Sequence, residues 1–124
     1  MGWKLPCMNP FKHNITILQG ATLEDVTTWR AGTPSVPVNL TGCTARMQVR
    51  RKITDADPLL SLTTENGGIT LGGTAGTVTI SMSATATAAI DWKGGVYDLE
   101  IQFGDGRVRR LLTGSVSVSP EVTR

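Results

Sequence analysis

The sequence is poor in the residues that reactive sites use most. It has one histidine, His13, and two cysteines, Cys7 and Cys43, among 124 residues. A Ser/His/Asp relay would have to be built around His13, and one histidine with two distant cysteines offers no ligand spacing for zinc. We therefore expect a chain that is not an enzyme, with no catalytic residues, no metal site and no cofactor.

An excess of charge of one sign is also missing. Twelve basic residues against ten acidic ones leave a net charge of +2, whereas nucleic-acid binders usually carry a broad cationic surface. No apolar run approaches the roughly 20 residues of a membrane-spanning helix, and the first ten residues lack the apolar region of a signal peptide. The composition predicts no direct nucleic-acid partner, no membrane insertion and synthesis in the cytoplasm.

Two further patterns are open to a chemical and to a structural interpretation. Asp55 and Asp57 could hold a calcium ion with neighbouring carbonyls, but a hydrophilic loop explains them equally well and further ligands are missing. A disulfide between Cys7 and Cys43 is conceivable, although two cysteines make no disulfide framework. We prefer two reduced thiols, with Cys43 packed as a small apolar residue.

What the sequence has in abundance is alternation of apolar and polar residues. Tyr97, Leu99, Ile101 and Phe103 point one way in the run GVYDLEIQF, and the residues between them point the other way. The corner GDG follows, and then the run RVRRLLTGSVSVS. Two such runs joined by turn formers predict a β-hairpin with one buried and one wet face.

The same pattern predicts about eight strands along the chain, which is typical of an antiparallel, Ig-like β-sandwich. Residues 43–50 give the clearest strand, and residues 31–37 are predicted as a loop because of their two prolines and glycine. An alanine-rich segment near residues 83–90 predicts one short crossover helix. We expect a single domain over residues 13–124, preceded by an irregular arm at residues 1–12 that either anchors on a partner subunit or straps the domain's own core.

The basic residues of the strands have two interpretations. Arg46 and Arg50 are predicted to lie across from acidic residues 98 and 100 of a neighbouring strand, which would set strand register. In a strand with simple alternation, Arg110 would point to the same face as the apolar residues around it. Either a bulge at residues 104–106 turns Arg110 outward, or it lies at the rim of the core, where it could reach a neighbouring subunit.

Three stretches carry a resemblance to a known family. They are VNLTGCTARMQVR at residues 38–50, LLSLTTENGGITL at residues 59–71, and GVYDLEI with DGRVRRLLTGSVSVSPEVTR at the end of the chain. They resemble small virion proteins of tailed bacteriophages and prophages, and are similar to the β-sandwich N-terminal domains of baseplate upper proteins. The resemblance covers roughly residues 14–124 and carries no catalytic motif.

The resemblance implies a non-enzymatic virion structural protein, made in the host bacterial cytoplasm. A tail, adaptor or baseplate component that attaches neighbouring tail or fibre proteins is expected first; a capsid cement protein and a host-glycan-binding module are the alternatives. Other virion proteins and further copies of the chain are the expected partners. Trp92 would contact glycan in the last alternative. The candidate subunit contacts are Trp3, Phe11, Arg50, Arg51, Arg107, Arg109 and Arg110.

Overall fold

The computed structural model describes residues 10–123 of the chain. Eleven strands, one α-helix and one 3-10 turn (Gly73–Ala75) lie within this range. The helix is α1 (Ala84–Ala88). The strands are β1 (Phe11–Lys12), β2 (Ile15–Leu18), β3 (Leu23–Thr28), β4 (Arg30–Ala31), β5 (Val36–Pro37), β6 (Thr44–Arg50), β7 (Leu60–Thr63), β8 (Ile69–Leu71), β9 (Thr77–Met82), β10 (Gly94–Gln102) and β11 (Val108–Ser119).

Two sheets face each other to make the sandwich. Sheet A has the order β1-β11-β10-β6-β7, with β2 also pairing with β11, and sheet B has the order β3-β9-β8. The β1 and β2 pairings with β11 are parallel, and the other pairings of both sheets are antiparallel. Helix α1 connects β9 of sheet B to β10 of sheet A. The predicted β-sandwich with one short crossover helix is confirmed.

The core lies between the sheets and follows the alternation of the strands. In β6, Ala45, Met47 and Val49 are buried, while Arg46 and Gln48 between them are exposed. Inward residues of β2, β9, β10 and β11 complete the same cluster. The largest fully buried side chains are Trp29, Ile17, Leu40, Ile69, Ile80, Leu99, Ile101, Leu111 and Leu112.

The described part of the expected N-terminal arm belongs to the sheet. Phe11 and Lys12 form β1 and pair with Leu112 and Thr113 of β11. His13 then donates its backbone N–H to the Thr113 carbonyl oxygen, so the chain stays beside β11 until β2 begins. Residues 1–9, which include Trp3 and Cys7, lie outside the described residues.

The segment predicted as a loop at residues 31–37 contains a short hairpin instead. Arg30 and Ala31 of β4 pair with Pro37 and Val36 of β5. A ladder of two residues requires few donors, so Pro37 can close it without a backbone N–H. The next residue, Val38, donates its N–H to the Trp29 carbonyl oxygen and ties this hairpin to the end of β3.

The strand β11 carries a β-bulge, but not where the sequence indicated. Leu99 of β10 pairs with Leu112 and Glu100 pairs with Arg110, so Leu111 is the extra residue. Both leucines are buried, which shows that the bulge lets two consecutive side chains enter the core. The predicted bulge at residues 104–106 is wrong: the change of parity at Leu111 turns Arg110 outward.

Helices contribute little to this fold. Within residues 10–123, no helix has both the length and the apolar character needed to span a membrane.

Candidate functional site

The outer surface of sheet A carries opposite charges on neighbouring strands, and we call this surface the charged face. Arg46 of β6 lies directly opposite Glu100 of β10 in the strand register. Its Nε donates to Glu100 Oε1 at 3.0 Å. The predicted cross-strand pairing is therefore confirmed at this position. The charged face consists of the outward side chains Arg46, Gln48, Arg50, Val96, Asp98, Glu100 and Arg110.

The other predicted pairing on this face has different partners. Arg50 lies opposite Val96 rather than an acidic residue. Its guanidinium donates to the backbone oxygens of Asp55 and Ala56, at 2.9 and 2.7 Å, and so folds the β6–β7 connection against the sheet. Asp98 has Arg110 as its ion-pair partner from the opposite side, with Nε and Oδ2 3.5 Å apart. The face thus has an acidic strand between two basic ones.

A cleft lies at the end of the sandwich where the β4–β5 hairpin meets the turn between β10 and β11. We call it the end cleft, and its volume is about 700 Å³. Val36 is exposed, Val38 is buried, and Phe103 is partly buried. The Phe103 ring packs on Trp29 with 5.9 Å between ring centroids. The residues that line the cleft are Ala31, Gly32, Thr33, Pro34, Val36, Pro37, Val38, Asn39, Phe103 and Arg107.

One cation lies beside this mostly apolar lining. The guanidinium of Arg107 lies over the Phe103 ring, 5.4 Å from its centroid, which is the geometry of a cation–π contact. Asp105 holds Arg107 in place: its carboxylate accepts from the backbone N–H and from Nε of Arg107, at 3.0 and 2.8 Å. These two hydrogen bonds, the backbone one first, lower the pKa of Asp105. The carboxylate therefore stays ionised at neutral pH and keeps Arg107 at the cleft.

The single histidine connects the two sheets. His13 Nε2 lies 2.9 Å from Oδ2 of Asp25, which belongs to β3 of sheet B. The hydroxyl of Tyr97 in β10 donates to the backbone oxygen of His13. Burial, followed by the charge of Asp25, raises the pKa of Tyr97. The group therefore consists of an imidazole, a carboxylate and a phenol that stays protonated, and it joins the sheets at their edge.

The remaining predicted contact residues are spread over the surface. Phe11 in β1 and Arg51 in the β6–β7 connection are exposed. Arg109 lies directly opposite buried Ile101, so it belongs to the inward face of the sheet. The sequence pattern had predicted this position for Arg110. Trp92 is partly buried and packs against the core. The site assignments of these residues stay predictions, and Trp3 lies outside the described residues.

The residues considered for chemistry are not assembled into one site. His13 lies beside β2, whereas Asp55 and Asp57 lie in the β6–β7 connection, with β11 and β10 between β2 and β6 in the sheet. Between residues 10 and 123, no three His, Cys, Asp or Glu side chains are placed to hold a metal ion. Cys43 is half-buried, and burial raises the pKa of its thiol, which makes the thiolate scarce at neutral pH.

Sequence reasoning missed the end cleft. The hairpin wall at residues 31–37 was expected to be a loop without strands, and Phe103 was expected in the core. The signal that was available is the combination of Pro34, Val36 and Pro37, an apolar and stiff segment where an ordinary surface loop would be polar. Its meeting with Phe103 depends on tertiary packing, which no local pattern reveals.

Comparisons with known proteins found similarity at the level of the fold only. No family model and no curated protein matches the chain. A solved structure of extracellular domains of the voltage-gated sodium channel beta4 subunit, described as parallel homodimers, is 14% identical with a TM-score of 0.49, covering 96% of this chain and 100% of that one. The first Ig-like domain of human CD48 antigen is 10% identical with a TM-score of 0.42, covering 99% of this chain and 94% of that one.

These findings agree with the predicted all-β, Ig-like sandwich and contradict the expected function. The similar structures include Ig domains and extracellular domains of proteins described as cell-adhesive, and nothing in the comparisons points to a virion protein. The expectation of a tail, adaptor or baseplate component, with capsid cement as an alternative, is therefore wrong. Its basis was alternating strands and glycine turns, which any antiparallel sandwich needs. The family resemblance and the virion localisation stay untested predictions.

Proposed function

We propose that the chain is a non-enzymatic protein-recognition module that binds an apolar loop of a partner protein in the end cleft. The observation that carries the proposal is that exposed Val36 and partly buried Phe103 line the same concave surface at the end of the sandwich. Ligand sites are typically concave and mostly apolar, with a few polar groups that fix orientation. Arg107 supplies the polar group here.

The construction of the cleft supports binding rather than catalysis. Its walls are a hairpin and a strand turn held on a rigid sandwich, which is the usual location of binding loops. The titratable side chain in its lining is the guanidinium of Arg107, which is neither a nucleophile nor a proton acceptor at neutral pH. An apolar side chain of the partner would contact Val36 and Phe103, and a neighbouring carboxylate or carbonyl oxygen would accept from the free guanidinium N–H groups.

The test is selection of binding peptides from a random peptide library displayed on a carrier, with the full chain as the target. We expect selected peptides to share an apolar or aromatic residue and to bind the Val36→Asp variant at least about tenfold more weakly, because apolar contact area is replaced by a carboxylate that must lose its hydration in the contact. Val26→Asp is the matched control. Val26 on β3 is 57% exposed and Val36 is 54% exposed, so neither change removes core packing.

Two results would contradict the proposal. One is a selection that enriches no peptide over a heat-unfolded target. The other is equal loss of binding in the Val26→Asp and Val36→Asp variants, which would place the contact elsewhere on the sandwich.

A further inference from the structure

The charged face has a property that the end cleft does not explain: its charges are arranged so that the face is complementary to itself. Arg46 of β6 and Glu100 of β10 are direct neighbours across the two strands. Both remain accessible although they form an ion pair, with side chains 59% and 29% exposed. Neither charge is enclosed, so each retains free hydrogen-bonding capacity toward a second molecule.

A two-fold axis shows what this arrangement permits. Rotation by 180° about an axis parallel to the strands, midway between β6 and β10, places β6 of one copy over β10 of the other at the same height along the strand. Arg46 of each copy then faces Glu100 of the other, because the two residues are in register within one chain. A closed symmetric contact of this kind uses one patch twice. The dimer therefore contains two ion pairs between chains, each joining Arg46 of one copy to Glu100 of the other.

Apolar side chains lie beside the same axis. Ile53, in the β6–β7 connection, is 84% exposed, and Val96 of β10 is 37% exposed. Both line a shallow depression of about 340 Å³ together with Arg50, Asp98 and Arg110. The same rotation places Val96 of one copy over Arg50 of the other, where the aliphatic stem of the arginine can cover it. Apolar contacts surrounded by charged ones are the usual composition of a protein interface.

We infer that the charged face is a homodimer interface in which the strands of the two sheets lie nearly aligned. The occupant is a second copy because the face itself carries the required complement, a basic strand at one strand spacing from an acidic strand. A nucleic acid is disfavoured there, since Asp98 and Glu100 occupy the middle of the face. Twisted sheets pack face to face about 30° from parallel, so the contact is tightest along the axis, which runs between β6 and β10. This inference does not depend on the end cleft.

Charge reversal tests the interface, with self-association of the full chain measured by sedimentation over a range of concentrations. The wild type should dimerise, and added salt should weaken the dimer. Arg46→Glu alone and Glu100→Arg alone should each weaken it about 10- to 100-fold, since two cross-chain pairs become repulsive. Mixing the two variants should restore association as a heterodimer, because every cross-chain contact again joins opposite charges.

The mixture separates an interface from a merely structural role. Each single variant still lacks its within-chain pair when mixed, so recovery cannot come from a repaired fold. Glu24→Arg on the outer surface of β3 is the control and should leave dimerisation unchanged. A wild type that stays monomeric at millimolar concentration, single variants that dimerise like the wild type, or a mixture that fails to associate would each overturn the inference. Peptide binding in the end cleft would be unaffected by any of these results.

Discussion

Replacing the only tyrosine should change how the stability of the protein depends on alkaline pH. Tyr97 is buried in β10, and its hydroxyl donates to the backbone oxygen of His13. In Tyr97→Phe this hydrogen bond is lost and the carbonyl loses a partner, which costs about 1 kcal/mol of folding free energy at neutral pH. Little else changes, because the ring keeps its place in the core.

The alkaline behaviour follows from the raised pKa of Tyr97, caused by burial and by the charge of Asp25. Unfolded tyrosine ionises near pH 10, whereas the folded form resists ionisation. Stability that depends on the protonated phenol is therefore fully present below about pH 10 and is lost as the pH rises from there toward the folded pKa. The loss is about 1.4 kcal/mol per pH unit, so the wild-type advantage should disappear close to pH 11.

Urea unfolding of the wild type and of Tyr97→Phe over a series of pH values measures this effect. Taking the difference between the two proteins removes the contribution of Cys43, whose raised pKa also lowers stability at alkaline pH. Because the chain has one tyrosine, the absorbance of tyrosinate follows its ionisation directly. Parallel stability curves for the two proteins, or tyrosinate forming in the folded protein near pH 10, would refute the argument.

Two further predictions concern β11 and are measured by urea unfolding at neutral pH. Leu111→Ala should cost about 2–5 kcal/mol, because the bulge buries this side chain almost completely; a cost below about 1 kcal/mol would show that Leu111 does not fill the core. Gly114→Ala should cost about 1–3 kcal/mol, since a Cβ there would lie 2.5 Å from the His13 carbonyl oxygen. In Gly104→Ala the nearest atom would be 3.8 Å away, so a similar loss in both glycine variants would contradict the steric explanation.

The strands that follow strict alternation could be predicted closely. For β6 the sequence indicated residues 43–50, and the strand is Thr44–Arg50. The period of two identifies inward residues without knowledge of the partner strand, and the turn residues mark the ends. The closing hairpin was predictable for the same reason, and its position beside β6 followed from the complementary charges of Arg46 and Glu100.

The failures occurred where a local pattern is broken by tertiary packing. Leu111 and Leu112 can both be buried only because Leu111 has no pairing partner in β10, which makes it the extra residue of the bulge. Nothing in the sequence of β11 indicates where this bulge lies. The expected pairing of Arg50 failed because the carbonyls of Asp55 and Ala56 come closer to it than any carboxylate. The function inferred from short phrases failed because those phrases encode strands and turns.

In sheet A, β11 lies between β10 on one side and β1 and β2 on the other. This position determines the order in which the chain can acquire its structure. Asn14 Oδ1 accepts from the backbone N–H of Ser115, across 101 residues of sequence. Such a contact requires closure of a very long loop, whereas the β8–β9 hairpin closes locally. During synthesis, β1 and β2 have no partner until β11 leaves the ribosome. Ile15 and Ile17 can therefore enter their place in the sheet only after β11 has been made, long after β2 itself.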